Sequence, residues 1–151
     1  MKKALIAFLA AILLFFITIG HAEEIVNKAT LHLDKPYRYG AEGPNAFDCS
    51  GFVFYCYKTI YNIELPRTAK QQGYNEEYQK IEKIEDLRPG DAVYFNTRND
   101  RDLCDHAGIY IGNGEFIHCS SGKHKVVIST LLEGYYNKRF SWGRRIKGVI
   151  E

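Results

Sequence analysis

The chain has 151 residues, 46% of them apolar, with 20 Lys and Arg against 18 Asp and Glu. That length and composition suit one domain able to close a real core. Lys2 and Lys3 sit in an apolar leader without an acid, so residues 23–151 are formally neutral and imply no nucleic-acid partner. The leader itself opens with Met1-Lys2-Lys3 and runs apolar through 4–19, apart from Thr18. Gly20-His21-Ala22 then places small residues where a signal peptidase reads. The run is about sixteen residues, short for a membrane span of about 20, and Glu23-Glu24 follows it rather than a basic stop. The expectation is a cleaved secretory signal over 1–22, cut after Ala22, and one domain over 23–151. The membrane is then met only during export, and the product works in the periplasm, the cell wall or outside the cell.

Residues 25–33 are expected to form a short helix. From 34 to 48, Pro36, Gly40, Gly43 and Pro44 break any regular element. Over 49–61, Phe52, Val53, Cys56, Tyr57 and Ile60 recur at helical spacing and make one apolar face. Asp48 is placed to cap that helix, because its carboxylate can accept the unpaired N–H groups of the first turn. A second short helix follows Pro66. "LRPGDAVYF" reads as a turn into a strand, and residues 96–102 as an exposed charged loop. "HAGIYIGNGEFIHCS" is two alternating runs around Gly112-Asn113-Gly114, a hairpin signal. "KVVIS" and "RFSWGRRI" are further strands. Helices first and strands later predict an α+β domain, with the cysteine helix packed on an antiparallel sheet.

Four cysteines in an exported chain suggest two disulfides. Cys49 and Cys56 lie two turns apart on one helix, roughly 10 Å, beyond the reach of about 7 Å that a bridge allows. Cys56 falls on the apolar face, where a thiol packs as a small hydrophobe. Cys49 opens the helix. There the positive end of the macrodipole favours a thiolate, and small Ser50 and Gly51 let a substrate backbone approach. Cys49 is therefore a candidate nucleophile. If residue 111 faces 115 across the turn, then 108 faces 118 and 106 faces 120. His106 and His118 then share one face of the sheet, one to take the thiol proton and the other to orient it. Successive strand residues point to opposite faces, so His118 and Cys119 cannot both reach one metal without a bulge. No metal is expected. The same alternation puts Cys104 on the His106 side and Cys119 on the other; a bulge in "LCDH" would still allow them to pair, and that question stays open.

The stretches "YRYGAEGPNAFDCSGFV", "LPRTAKQQ", "LRPGDAVYF", "HAGIYIGNGEFIHCSS" and "RFSWGRRI" together resemble, in order, the NlpC family of papain-like bacterial cell-wall peptidases. The resemblance implies a papain-like single domain in which Cys49 is the nucleophile, His106 the base and His118 the third, orienting residue. It further implies substrate contacts for Tyr37, near the oxyanion, for Asp48 and Ser50 beside the bound peptide, and for Arg67. The implied reaction cuts peptidoglycan stem peptides, commonly between γ-D-glutamate and a diamino acid, through a thioester and without a cofactor. Ala41 stands where the family often has a second glycine, and Cys119 where a small residue is common. The stretch 23–36 leaves no room for a wall-binding module, so targeting is expected from the domain itself, an unidentified partner or confinement. Two other classes keep the fold: a non-catalytic wall-binding domain, and the same triad used for another acyl reaction, as in an amidase, a toxin-like effector or an acyltransferase.

Overall fold

Asp48 starts the helix on which the rest is arranged. Its extended backbone (φ −96°) precedes Cys49, and its Oδ1 accepts from the Gly51 N–H at 2.7 Å. Capped in this way, a helix spans Cys49–Tyr61. It ends where Asn62 turns left-handed (φ 54°), a conformation asparagine tolerates better than most residues. Phe52, Val53, Cys56 and Tyr57 form its buried face. At roughly 1.5–3 kcal/mol for each large apolar side chain removed from water, that face outweighs any helix propensity in fixing the element.

The computed structural model describes residues 1–99 and 104–148, and for 14–21 the backbone alone. In chain order, α1 spans Lys2–Thr30, α2 is Cys49–Tyr61 and α3 is Ala69–Gly73. The strands are β1 Gln79–Ile81, β2 Ala92–Phe95, β3 His106–Gly112, β4 Glu115–Ser120 and β5 Lys125–Thr130. After them come α4 Gly134–Asn137 and β6 Phe140–Arg145. The strands form one antiparallel sheet in the order β1-β6-β2-β3-β4-β5. The architecture is the α+β arrangement expected from the order of elements.

Alternation along the strands gives the sheet two apolar faces. Ala92, Tyr94, Ala107, Ile109, Ile117, Cys119 and Val126 pack with α2 and with Ile25 and Ala29 of α1. Val93, Phe95, Tyr110, Phe116 and Leu131 form a second cluster. α3 is tied to the sheet through one carbonyl: Gly73 O accepts from Trp142 Nε1 at 2.7 Å and from Arg144 Nε at 2.8 Å. The turn before β2 is held by a buried ion pair, Arg145 to Asp91 at 2.8 Å, and by the Tyr57 hydroxyl donating to Gly90 O.

Three local expectations change. The helix expected over 25–33 ends at Thr30 and begins at Lys2, because the apolar leader continues its helical path without a breaker. Near the turn, Gly112 rather than Ile111 pairs with Glu115, the three turn residues all having positive φ. The register shift this creates at Ile111 restores the anticipated alignment from Tyr110–Phe116 and Ile109–Ile117 onward. Cys104 lies with Cys119 in the helix-side cluster, not on the His106 side, because β3 begins only at His106 and strand alternation does not extend back to it. Residues 100–102 of the charged loop lie outside the described residues.

Candidate active site

The end of α2 that carries Cys49 is held by a compact polar network. Asp48 Oδ2 accepts from the Gly40 N–H at 2.9 Å and from Arg67 at 2.6 Å. Arg67 also donates to Asp48 Oδ1 and to Ser50 Oγ, each at 3.1 Å, and its Nε meets Glu42 at 2.6 Å. Asp48 therefore caps the helix, orders the loop before it and neutralises Arg67. Such charge-assisted bonds are short and directional, which fixes the approach to the cysteine.

Cys49 follows, partly exposed. Its thiol is pushed up to about 11, first by burial and then by the Asp48 carboxylate, while the backbone N–H groups of Ala107, Ser50 and Cys49 itself pull it down. The lowering expected from the helix start is thus outweighed: desolvation of a sulfur anion and a neighbouring carboxylate oppose the dipole. The Ala107 N–H reaching that sulfur sets Cys49 against the first residues of β3.

His106 begins β3. Its Nε2 lies 2.7 Å from His118 Nδ1, and the two rings are nearly perpendicular, at 87°. The hairpin register therefore joins the two imidazoles, as the shared face implied. Both rings are buried, His118 completely. Burial lowers His106 to about 4, with Asp105 opposing, and lowers His118 well below the usual imidazole value, with His106 adding to the effect. With Nε2 engaged by His118, Nδ1 is the other nitrogen of His106 at which a proton can be taken. Burial thus holds both the thiol and the imidazole toward their neutral forms.

A cleft of about 450 Å³ runs past the cysteine. Tyr37, Asp48, Cys49, Ser50 and Arg67 all line it, so the four expected substrate-contact residues meet at Cys49. Neither histidine is in its lining; Asp105, their neighbour, is. The four cysteines carry free thiols. Cys119 donates to Phe47 O at 3.2 Å, and Cys104 packs on Gly73 and Tyr94. Among the described residues, no three His, Cys, Asp or Glu converge as a metal site requires.

Two neighbours of the histidines were not anticipated. Ser129 Oγ lies 3.0 Å from His118 Nε2. Tyr136, on α4, stacks over His106 and meets His118 edge-on at 5.0 Å, with its hydroxyl hydrogen-bonded to the Ser120 side chain. Ser129 sits at an alternate position of "KVVIS", but its facing partner depends on the β4–β5 register, which nothing local to the sequence specifies. Tyr136 depends on a four-residue helix with no periodic signal.

The model of the NlpC/P60 family matches residues 34–145. The chain is 38% identical over 122 residues to the murein DD-endopeptidase MepH of Escherichia coli strain K12, covering 80% of this chain and 44% of that protein. It is also 38% identical over 128 residues to the gamma-DL-glutamyl hydrolase of Bacillus subtilis strain 168, covering 83% of this chain and 29% of the relative. The chain thus spans less than half the length of these two relatives. Among solved structures, an NlpC/P60 family protein from Bacillus cereus ATCC 10987 superposes with a TM-score of 0.74 at 30% identity, covering 82% of this chain and 39% of that one.

Proposed function

This chain belongs to the NlpC/P60 family, and on that premise we propose that it is an exported cysteine peptidase acting on peptidoglycan stem peptides. The observation that supports this most is the placement of Cys49 in the lining of the cleft, at a capped helix start and within reach of the Ala107 N–H, next to His106, whose ring is joined to His118 at 2.7 Å. In the proposed reaction His106 Nδ1 takes the Cys49 proton as the sulfur attacks the scissile carbonyl. N–H groups at the start of α2, with Tyr37 nearby, face the oxyanion. The imidazolium then gives its proton to the leaving amine, and a thioester remains. Water, deprotonated by His106, hydrolyses the thioester and returns the thiol. His118 accepts from His106 Nε2–H and so stabilises the imidazolium that forms. Asp48, Ser50 and Arg67 bind and orient the peptide. No step calls for a cofactor.

The proposed bond joins γ-D-glutamate to the diamino acid. The name of the Bacillus subtilis relative favours a γ-glutamyl bond, whereas the name of the Escherichia coli relative favours a DD-endopeptidase cut. Digestion of purified peptidoglycan, with the products identified by mass, separates the two. Products ending in γ-D-glutamate are expected, and none from Cys49→Ala. Release of intact stems from the glycan would instead make the protein an amidase, and no release by a folded chain would make it a binding domain. The proposal also has residues 1–22 removed on export, leaving 23–151 to act in the periplasm or wall.

A further inference from the structure

We infer that Ser129 is a positioning residue for the histidine pair, the fourth member of a chain running Cys49, His106, His118, Ser129; this rests on the function proposed above. When His106 holds the thiol proton, both of its ring nitrogens carry hydrogen. Its Nε2–H must then donate to His118 Nδ1, 2.7 Å away. His118 accepts there only as the tautomer with hydrogen on Nε2. That hydrogen points from a fully buried ring toward Ser129 Oγ at 3.0 Å. The opposite tautomer of His118 would put two N–H groups face to face and would block proton transfer from Cys49. His106 Nε2–H requires that tautomer, and Ser129 stabilises it by accepting at His118 Nε2.

The surroundings leave few substitutes for that acceptor. The ring of Phe116 stacks on His118 at 4.6 Å and Tyr136 closes a second side at 5.0 Å. Ser129 pairs with Phe116 across β4 and β5, so the hydroxyl is delivered by the sheet register rather than by a mobile loop.

The test compares Ser129→Ala and Ser129→Thr with the unaltered chain, on peptidoglycan fragments and by ¹⁵N spectra of the imidazoles. Losing one hydrogen bond to a charged system is worth about tenfold in rate. Ser129→Ala should lower kcat about tenfold with KM little changed, and should mix the His118 tautomers in the spectra at neutral pH. Ser129→Thr, which keeps the hydroxyl on a strand that favours branched residues, should restore both. If Ser129→Ala keeps kcat within twofold and leaves the His118 signals unchanged, the inference fails. A rate loss that Ser129→Thr does not restore, with the tautomer signals unmoved, assigns Ser129 to packing and also overturns it. Cys49→Ala and His106→Ala serve as the separate arm: turnover surviving in both would overturn the proposed function itself, whatever Ser129 does.

Discussion

At the scale of single residues, the site is governed by competition between burial and polar contacts. Burial raises the Cys49 thiol to about 11 and lowers His106 to about 4, so each is neutral over the physiological range. His106 can accept a proton only while neutral, hence above about 4, and Cys49 retains one to give only below about 11. The kcat/KM profile should therefore be a broad plateau, rising through the acid limb and falling near the alkaline one. Alkylation of Cys49 by iodoacetamide should climb with pH toward about 11; a level rate across acid and neutral pH would mean a preformed thiolate–imidazolium pair and would overturn this account. The same burial has a consequence for stability. Imidazoles with depressed folded values bind fewer protons than the unfolded chain does, so their contribution is complete above the ordinary value of about 6.5. Stability should be lost as pH falls from there toward about 4, with His32, His106 and His118 all acting in that direction. Denaturant titrations at several pH values check the sign. His118→Asn, which keeps an acceptor for His106, should retain more activity than His118→Ala.

At the scale of elements, the start of α2 is the most constrained piece of the molecule. A Cβ at Gly51 would fall on the Ala41 carbonyl and within 2.9 Å of Asp48 Oδ1. The loop around Ala41 cannot retreat easily, because the Asp48 N–H donates to Ala41 O at 2.9 Å and Gly40 is bonded to Asp48. Gly51→Ala should therefore cost about 1–3 kcal/mol by overpacking, and it should reduce turnover further by moving the cap and with it Cys49; equal melting temperature and rate would refute this. The helix and its cap were legible in the sequence because Asp48, Ser50, Gly51 and the apolar spacing behind them are all local signals. The hairpin was legible for the same reason, since alternation and the Gly-Asn-Gly turn pin its register. β1 and α4 were not. They have three and four residues, and pairing with β6 or packing over the histidines holds them, not propensity. Ser129 and Tyr136 belong to that second kind. The thiol value was misjudged because a sequence displays the helix start but not the burial that opposes it. A direct check on α4 is Tyr136→Ala, expected to lower kcat more than Tyr136→Phe, which keeps the ring over both imidazoles.

At the scale of the whole molecule, α1 is one continuous helix whose two ends live in different environments. Near its start Leu5, Ile6, Phe8 and Leu9 are each more than half exposed, whereas Ile25 and Ala29 are completely buried among the residues of α2. The domain core therefore claims the last turns of the helix and leaves the first ones without apolar partners. A cut after Ala22 falls between these regions and leaves Ile25 and Ala29 in place. Under the processing proposed above, the mature protein should begin at Glu23 by intact mass, and a chain of residues 23–151 should fold with the full stability of the domain. Ile25→Ala in that chain should destabilise it by about 2–5 kcal/mol, the usual range for emptying a buried aliphatic site. Removing residues 23–30 as well should be worse, because it opens the face of α2 that they cover. A mature protein that retains residues 1–22 in the membrane fraction would overturn the processing, and a chain of residues 31–151 as stable as the chain of 23–151 would overturn the role given to the end of α1.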